Sequence, residues 1–221
     1  MERGLLGPRE PVRIWERHLL NSAVLAELVP WPRGRLADLG SGAGLPGIVL
    51  AIMLPRARVV LIEAMERRAA FLAECVSELG LGNVEVQRAR GEDLAGRVGA
   101  DVVTARAVAP LERMAAIAAG LARPGGLVLA VKGAGAAGEL ARAGPVLRRL
   151  GVVGAQVVTA GAGVVSEPAT VVRFGVPAAR GGGSPPRRRG SPGAREGATG
   201  AGAGARRAAA GGRPRRGTGL P

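Results

Sequence analysis

The stretch Leu36-Ala-Asp-Leu-Gly-Ser-Gly-Ala-Gly-Leu-Pro-Gly-Ile-Val-Leu50 reads as a short strand that stops at a glycine loop and restarts as a helix. Leu36 to Leu39 is an apolar run interrupted by Asp38. Gly40, Gly42 and Gly44 remove the Cβ atoms that would keep a ligand from the backbone. Pro46 stands where a first helical turn accepts it. A helix amino terminus aimed at a loop with free N–H groups holds polar or anionic groups, so the loop is expected to cradle a nucleotide or a nucleoside carboxylate.

The loop alone does not choose the ligand. Gly40-x-Gly42-x-Gly44 is the spacing common in S-adenosylmethionine enzymes, while Gly42-x-Gly44-x-x-Gly47 also satisfies the dinucleotide pattern. Either ligand calls for an acidic residue at the end of the next strand to meet ribose hydroxyls. Arg58-Val-Val-Leu-Ile-Glu63 supplies it, closing on Glu63 about 20 residues beyond the loop.

Ahead of this stretch the spacing predicts a helix over 12–29, with Ile14, Leu19, Val24, Leu25 and Leu28 available for a buried face. Strands follow at 36–39, 59–62, 83–88, 100–105 and 127–131. Helices are expected at 46–54, 64–79, 110–121 and 139–150, with a turn at Arg123-Pro-Gly-Gly126. Two further strands, 152–159 and 170–176, are joined only by a loop and should form an antiparallel hairpin. The pattern implies an α/β fold with a seven-stranded, mostly parallel sheet and helices on both faces. The closing hairpin favours a methyltransferase sheet over a dehydrogenase one.

Composition divides the chain of 221 residues near Pro177. Residues 178–221 hold ten arginines and one glutamate, net +9, leaving +5 of the total +14 for residues 1–177. That tail of Gly, Pro, Ala and Arg has little to bury and is expected to be disordered. It could grip RNA phosphates, or be an incidental extension in a chain with one Lys against thirty Arg and no Tyr. The rest, 47 % hydrophobic over the whole chain, can build one domain, with a Rossmann-like core over 35–176. Cys75 is the sole cysteine, which excludes an internal disulfide and fits a reducing cytoplasm. No apolar run approaches the roughly 18 residues of a membrane helix, and no His/Cys cluster has metal-ligand spacing. A monomer is expected.

Four motifs in order carry a resemblance: Trp15-Glu-Arg-His-Leu-Leu-Asn-Ser22, Asp38-Leu-Gly-Ser-Gly-Ala-Gly-Leu-Pro-Gly47, Thr104-Ala-Arg-Ala-Val-Ala109 and Leu129-Ala-Val-Lys-Gly133. Together, over roughly residues 5–176, they resemble the RsmG (GidB) family of 16S rRNA guanine-N7 methyltransferases. The resemblance implies a class I methyltransferase fold and methyl transfer from S-adenosylmethionine to N7 of guanine 527 in the small ribosomal subunit. It also implies that Gly40, Leu45, Gly91, Glu92 and Arg106 contact the cofactor. Two departures stand out. Members usually carry a further helical segment ahead of the Arg-His motif, whereas Met1 lies sixteen residues ahead of Arg17, so either a truncated chain or a misassigned start is expected. Asn21 stands where many members have Asp.

Guanine N7 is a lone-pair nucleophile without a proton at neutral pH, so no catalytic base is assigned. Alignment and fixed electrostatics would carry the chemistry. Arg106 could fork onto the methionine carboxylate, or pair with Glu112 at the surface. Glu63, with Gly40, Gly42 and Gly44, is assigned to the cofactor. Arg17, His18, Arg67, Arg68 and Lys132 are assigned to RNA, although His18 alone on a half-buried helix also reads as a structural residue. Two other functions stay open: a nicotinamide-dependent oxidoreductase, which would lack a Tyr-Lys pair, and a non-catalytic RNA-binding protein.

Overall fold

The structure, a computed structural model, describes residues 14–178. The expectations for residues 12–13 and for the 178–221 tail, Ala178 excepted, lie outside the described residues. A helical segment leads, changing its winding as it goes: π-type turns over Ile14–Leu20, a single α turn α1 (Asn21–Ala23), then 3-10 turns over Val24–Leu28. Seven strands follow: β1 (Arg35–Leu39), β2 (Arg58–Glu63), β3 (Val84–Arg88), β4 (Ala100–Arg106), β5 (Ala122–Lys132), β6 (Val153–Ala160) and β7 (Ala169–Gly175). Between them lie α2 (Gly47–Met53), α3 (Glu66–Glu78), α4 (Leu111–Leu121) and α5 (Ala136–Arg149).

The strands form one sheet in the order β3-β2-β1-β4-β5-β7-β6. Neighbours from β3 through β5 pair in parallel, and β7 runs antiparallel to both β5 and β6. The chain therefore winds outward from β1 to β3, crosses to β4, and winds the other way. That reversal between β1 and β4 opens a crevice at the carboxyl ends of the strands, where open α/β sheets take their ligands.

Alternation along the strands builds two cores. Ala37, Leu39, Val60, Ile62, Val103, Val128 and Phe174 point to the face covered by α4 and α5, meeting Met114, Leu121 and Leu147. Leu36, Val59, Leu61, Val102, Leu129 and Val171 point to the other face, where Leu25, Leu50 and Leu72 cover them. A parallel sheet buried on both sides needs such continuous apolar strands, which is why β1, β2 and β4 could be read from sequence.

Three expectations are corrected. The leading helix buries His18, Ser22, Leu25 and Val29, whereas Ile14, Leu19, Val24 and Leu28 remain partly exposed. Two polar residues thus lie on the inward stripe, and hydropathy alone could not select it. The turn at Arg123-Pro-Gly-Gly126 lies inside β5 as a wide bulge: Ala100 pairs with Ala122 and Val102 with Leu127, so two steps along β4 face five along β5. Finally α5 begins at Ala136, because burial of Ala136, Ala143 and Leu147 outweighs the poor helix propensity of Gly138.

Candidate functional site

The site grows from the register of β1 against β4, which sets Asp38 opposite Thr104. Thr104 Oγ1 donates to Asp38 Oδ1 at 2.8 Å, and the Gly47 amide donates to Asp38 Oδ2 at 3.1 Å. This carboxylate ties the end of β1 to β4 and to the first turn of α2. Burial pushes Asp38 up to about 6, although Thr104, Ser41, the Gly47 amide and the charge of Arg106 all act to lower it.

The glycine loop differs from the expected anion cradle. Gly40 and Ser41 amides both donate to Ile62 O (2.9 and 3.0 Å), the Gly44 amide to Ser41 O (2.7 Å), and the Gly42 amide to Glu63 Oε2 (3.0 Å). Those amides are turned inward to the protein, and the loop presents a braced backbone wall rather than a ring of free donors. Protein packing demands glycine at some of these positions and not at others. At Gly40 (φ +67°) a Cβ would stand 2.8 Å from Val108, whereas Gly42 (φ +53°) has nothing closer than 3.8 Å.

Glu63, 5 % exposed, spans the rim: Oε2 takes the Gly42 amide and Oε1 the Met65 amide at 2.9 Å. Each oxygen keeps a lone pair for another donor. Beside it opens a cavity of about 330 Å³ walled by Gly40, Ile62, Glu63, Gly91, Glu92 and Ile117, with Arg68, Arg90 and Arg113 at its edge. A second cavity, about 830 Å³, is lined by Arg17, Asn21, Arg106, Lys132, Glu139 and Arg142. The two share one wall, Ala107, Val108 and Ala109. Ala107, between β4 and α4, holds φ at +54°, a backbone conformation that costs a non-glycine residue energy.

The larger cavity contains the charge chemistry. Arg106, at the end of β4, sets Nη2 2.6 Å from His18 Nδ1 and Nη1 3.4 Å from Ser22 Oγ. Glu112, the alternative partner for Arg106, is reached by Arg142 Nε at 3.7 Å. Lys132 Nζ meets Glu139 Oε2 at 2.8 Å and Ala109 O at 3.1 Å. The Lys132 hydrogen bond holds the Glu139 carboxyl below the usual range, with the Leu111 amide and Arg142 adding to it.

The residues anticipated for the site therefore divide. Gly40, Glu63, Gly91, Glu92 and Arg68 line the smaller cavity, and Arg106, Arg17 and Lys132 line the larger. Gly42, Gly44, Leu45, His18 and Arg67 line neither. Four residues escaped the sequence reading. Asp38 carried a signal, an acid closing a buried strand before a glycine loop. Thr104, Ser22 and Glu139 had none, because only strand register and helix packing bring them in. Among the described residues no group of three or more His, Cys, Asp or Glu is arranged to hold a metal, and no helix is long and apolar enough to cross a membrane.

With this geometry in view, comparison with known proteins is specific. Solved structures of similar fold include an S-adenosylmethionine-dependent O-methyltransferase from Thermotoga maritima (TM-score 0.57, 15 % identity, 77 % of this chain and 71 % of that one). An S-adenosylmethionine-dependent methyltransferase from Aquifex aeolicus is also similar (TM-score 0.56, 22 % identity, 75 % and 93 %). Proteins named ribosomal RNA small subunit methyltransferase G are similar in sequence. The Nocardioides sp. protein is 55 % identical over 145 residues, 66 % of this chain and 58 % of that protein. The Thermobifida fusca protein is 54 % identical over 141 residues, 64 % and 59 %. The chain thus spans under two thirds of the length of these relatives. The family described as GidB, rRNA small subunit methyltransferase G, matches residues 1–165, and the chain belongs to that family.

Proposed function

We propose that the chain transfers a methyl group from S-adenosylmethionine to N7 of a guanine in 16S rRNA of the small ribosomal subunit. The observation that carries this reading is the wall Ala107-Val108-Ala109 shared by the two cavities. A donor molecule on one side and an acceptor base on the other would meet there.

The smaller cavity fits the cofactor. Glu63 offers lone pairs at the rim for ribose hydroxyls, and Ile62, Val108 and Ile117 are apolar walls suited to an adenine ring. Gly91 belongs to this wall, and a Cβ there would stand 2.5 Å from Leu39 and 2.7 Å from Ile117. Gly40, Gly42, Gly44, Leu45 and Glu92 complete the proposed cofactor side, and Arg106, across the shared wall in the larger cavity, is proposed for the methionine carboxylate. When bound, S-adenosylmethionine supplies an electrophilic methyl group on a sulfonium. The chain's own part is alignment and exclusion of water, and no residue needs to accept a proton from N7. Arg17, Arg67, Arg68 and Lys132 form the proposed RNA side, all cationic, and the buried His18 of the same motif serves that side by holding Arg106. Residues 1–177 form the proposed catalytic domain, acting as a cytoplasmic monomer, with 178–221 as a basic tail.

The test is transfer of labelled methyl to small subunits that lack the modification, with already methylated subunits as control. Label on one guanine N7, lost in Arg106→Ala, supports the reading; absence of label from every guanine refutes it.

A further inference from the structure

We infer that Glu139 and Lys132 together read the Watson–Crick edge of the target base and restrict transfer to a purine bearing O6 and N1–H. The inference rests on the methyltransferase reading above.

An ammonium has three protons, and two of those on Lys132 go to Glu139 Oε2 and Ala109 O. One donor remains. Glu139 Oε2 is occupied by Lys132 and by the Leu111 amide at 3.3 Å, while Oε1 accepts no hydrogen bond among the described residues. One carboxylate oxygen remains beside that donor. Lys132 is 11 % and Glu139 25 % exposed at the side chain, and both face the larger cavity. The cavity, about 830 Å³, is of the size that holds a nucleotide.

A donor beside an acceptor has a polarity. Guanine offers O6, an acceptor, next to N1–H, a donor, which complements it. Adenine offers N6–H next to a bare N1, which sets donor against donor and lone pair against carboxylate. Turning the ring over to repair this would carry N7 away from the shared wall. N7 itself is present and nucleophilic in both purines, so the reaction centre cannot tell them apart. Selectivity must come from the opposite edge, and a matched bidentate pair discriminates by roughly 5- to 150-fold.

The test uses the full chain and RNA carrying guanine, hypoxanthine or 2,6-diaminopurine at the target position. Hypoxanthine keeps O6 and N1–H; 2,6-diaminopurine keeps N7 but reverses both. Wild type should methylate hypoxanthine within about 5-fold of guanine and 2,6-diaminopurine at least 10-fold more slowly. Glu139→Gln keeps an acceptor for Lys132 and Leu111 but turns an amide donor toward N1–H. It should slow guanine at least 10-fold and shrink the guanine preference over 2,6-diaminopurine by a similar factor. Wild type that methylates all three alike overturns the inference while leaving the methyltransferase reading intact. So does a Glu139→Gln protein that slows every base equally. No transfer to guanine at all refutes the underlying reading, and this inference with it.

Discussion

Arg106 Nη2 lies 2.6 Å from His18 Nδ1, joining the end of β4 to the leading helical segment. A guanidinium only donates, so Nδ1 is the acceptor in this hydrogen bond. His18 is 8 % exposed and so holds Arg106 from a buried position, making it a positioning residue. Hydrogen bonds to charged groups contribute about 1.5–3 kcal/mol, so His18→Ala should lower kcat/KM for methyl transfer by roughly 10- to 150-fold. His18→Gln, which can present an oxygen acceptor, should recover part of that loss. Equal activity in wild type and His18→Ala would show that Arg106 is held without it.

Asp38 should make stability depend on pH in an unusual direction for an acid. Its folded value of about 6 lies above the ordinary 3.8, so the folded protein binds the proton more tightly. Its contribution is fully present below 3.8 and is lost as pH rises through about 6. The loss is on the order of 3 kcal/mol at 1.36 kcal/mol per pH unit. Asn can still accept from Gly47 and donate to Thr104. Asp38→Asn should therefore gain on wild type between pH 4 and pH 7 in denaturant melts. A difference that stays constant across that window would show that Asp38 does not titrate there.

Gly47 should tolerate no side chain. A Cβ there would collide with Leu61 and stand 2.6 Å from Asp38 Oδ2, and neither neighbour can retreat from the core. Gly47→Ala should cost about 1–3 kcal/mol of unfolding free energy. Gly42→Ala meets nothing closer than 3.8 Å and bears only the strain of φ +53°, about 1–2 kcal/mol. If the two variants bound S-adenosylmethionine equally and melted alike, the loop would be looser than its hydrogen bonds imply.

Removing residues 178–221 takes away ten arginines and one glutamate. Cofactor affinity should be unchanged, while the salt dependence of RNA binding should become shallower by about 0.7 for each phosphate that the tail neutralises in the full chain. Site-specific methylation that persists after truncation places recognition on the folded domain. Collapse of both binding and methylation would instead favour a tail-dominated RNA-binding protein.

Sequence alone determined the frame of this protein. Continuous apolar runs mark the buried parallel strands, a glycine-rich stretch marks the break after β1, and Glu63 closes β2 with a carboxylate. These signals are local, since each depends on residues a few positions apart. Tertiary structure decided what those residues meet. Register set Asp38 against Thr104, packing of the leading segment brought His18 and Ser22 to Arg106, and the start of α5 brought Glu139 to Lys132. The pairs His18–Arg106 and Asp38–Thr104 are 88 and 66 residues apart along the chain. Such partners share no periodicity to read, because hydrogen bonds and ion pairs depend on distances that only the folded backbone sets. The same holds for the glycine loop: composition announced a cradle, but the folded chain turned its amides onto Ile62 and Glu63 and placed the open space beyond them.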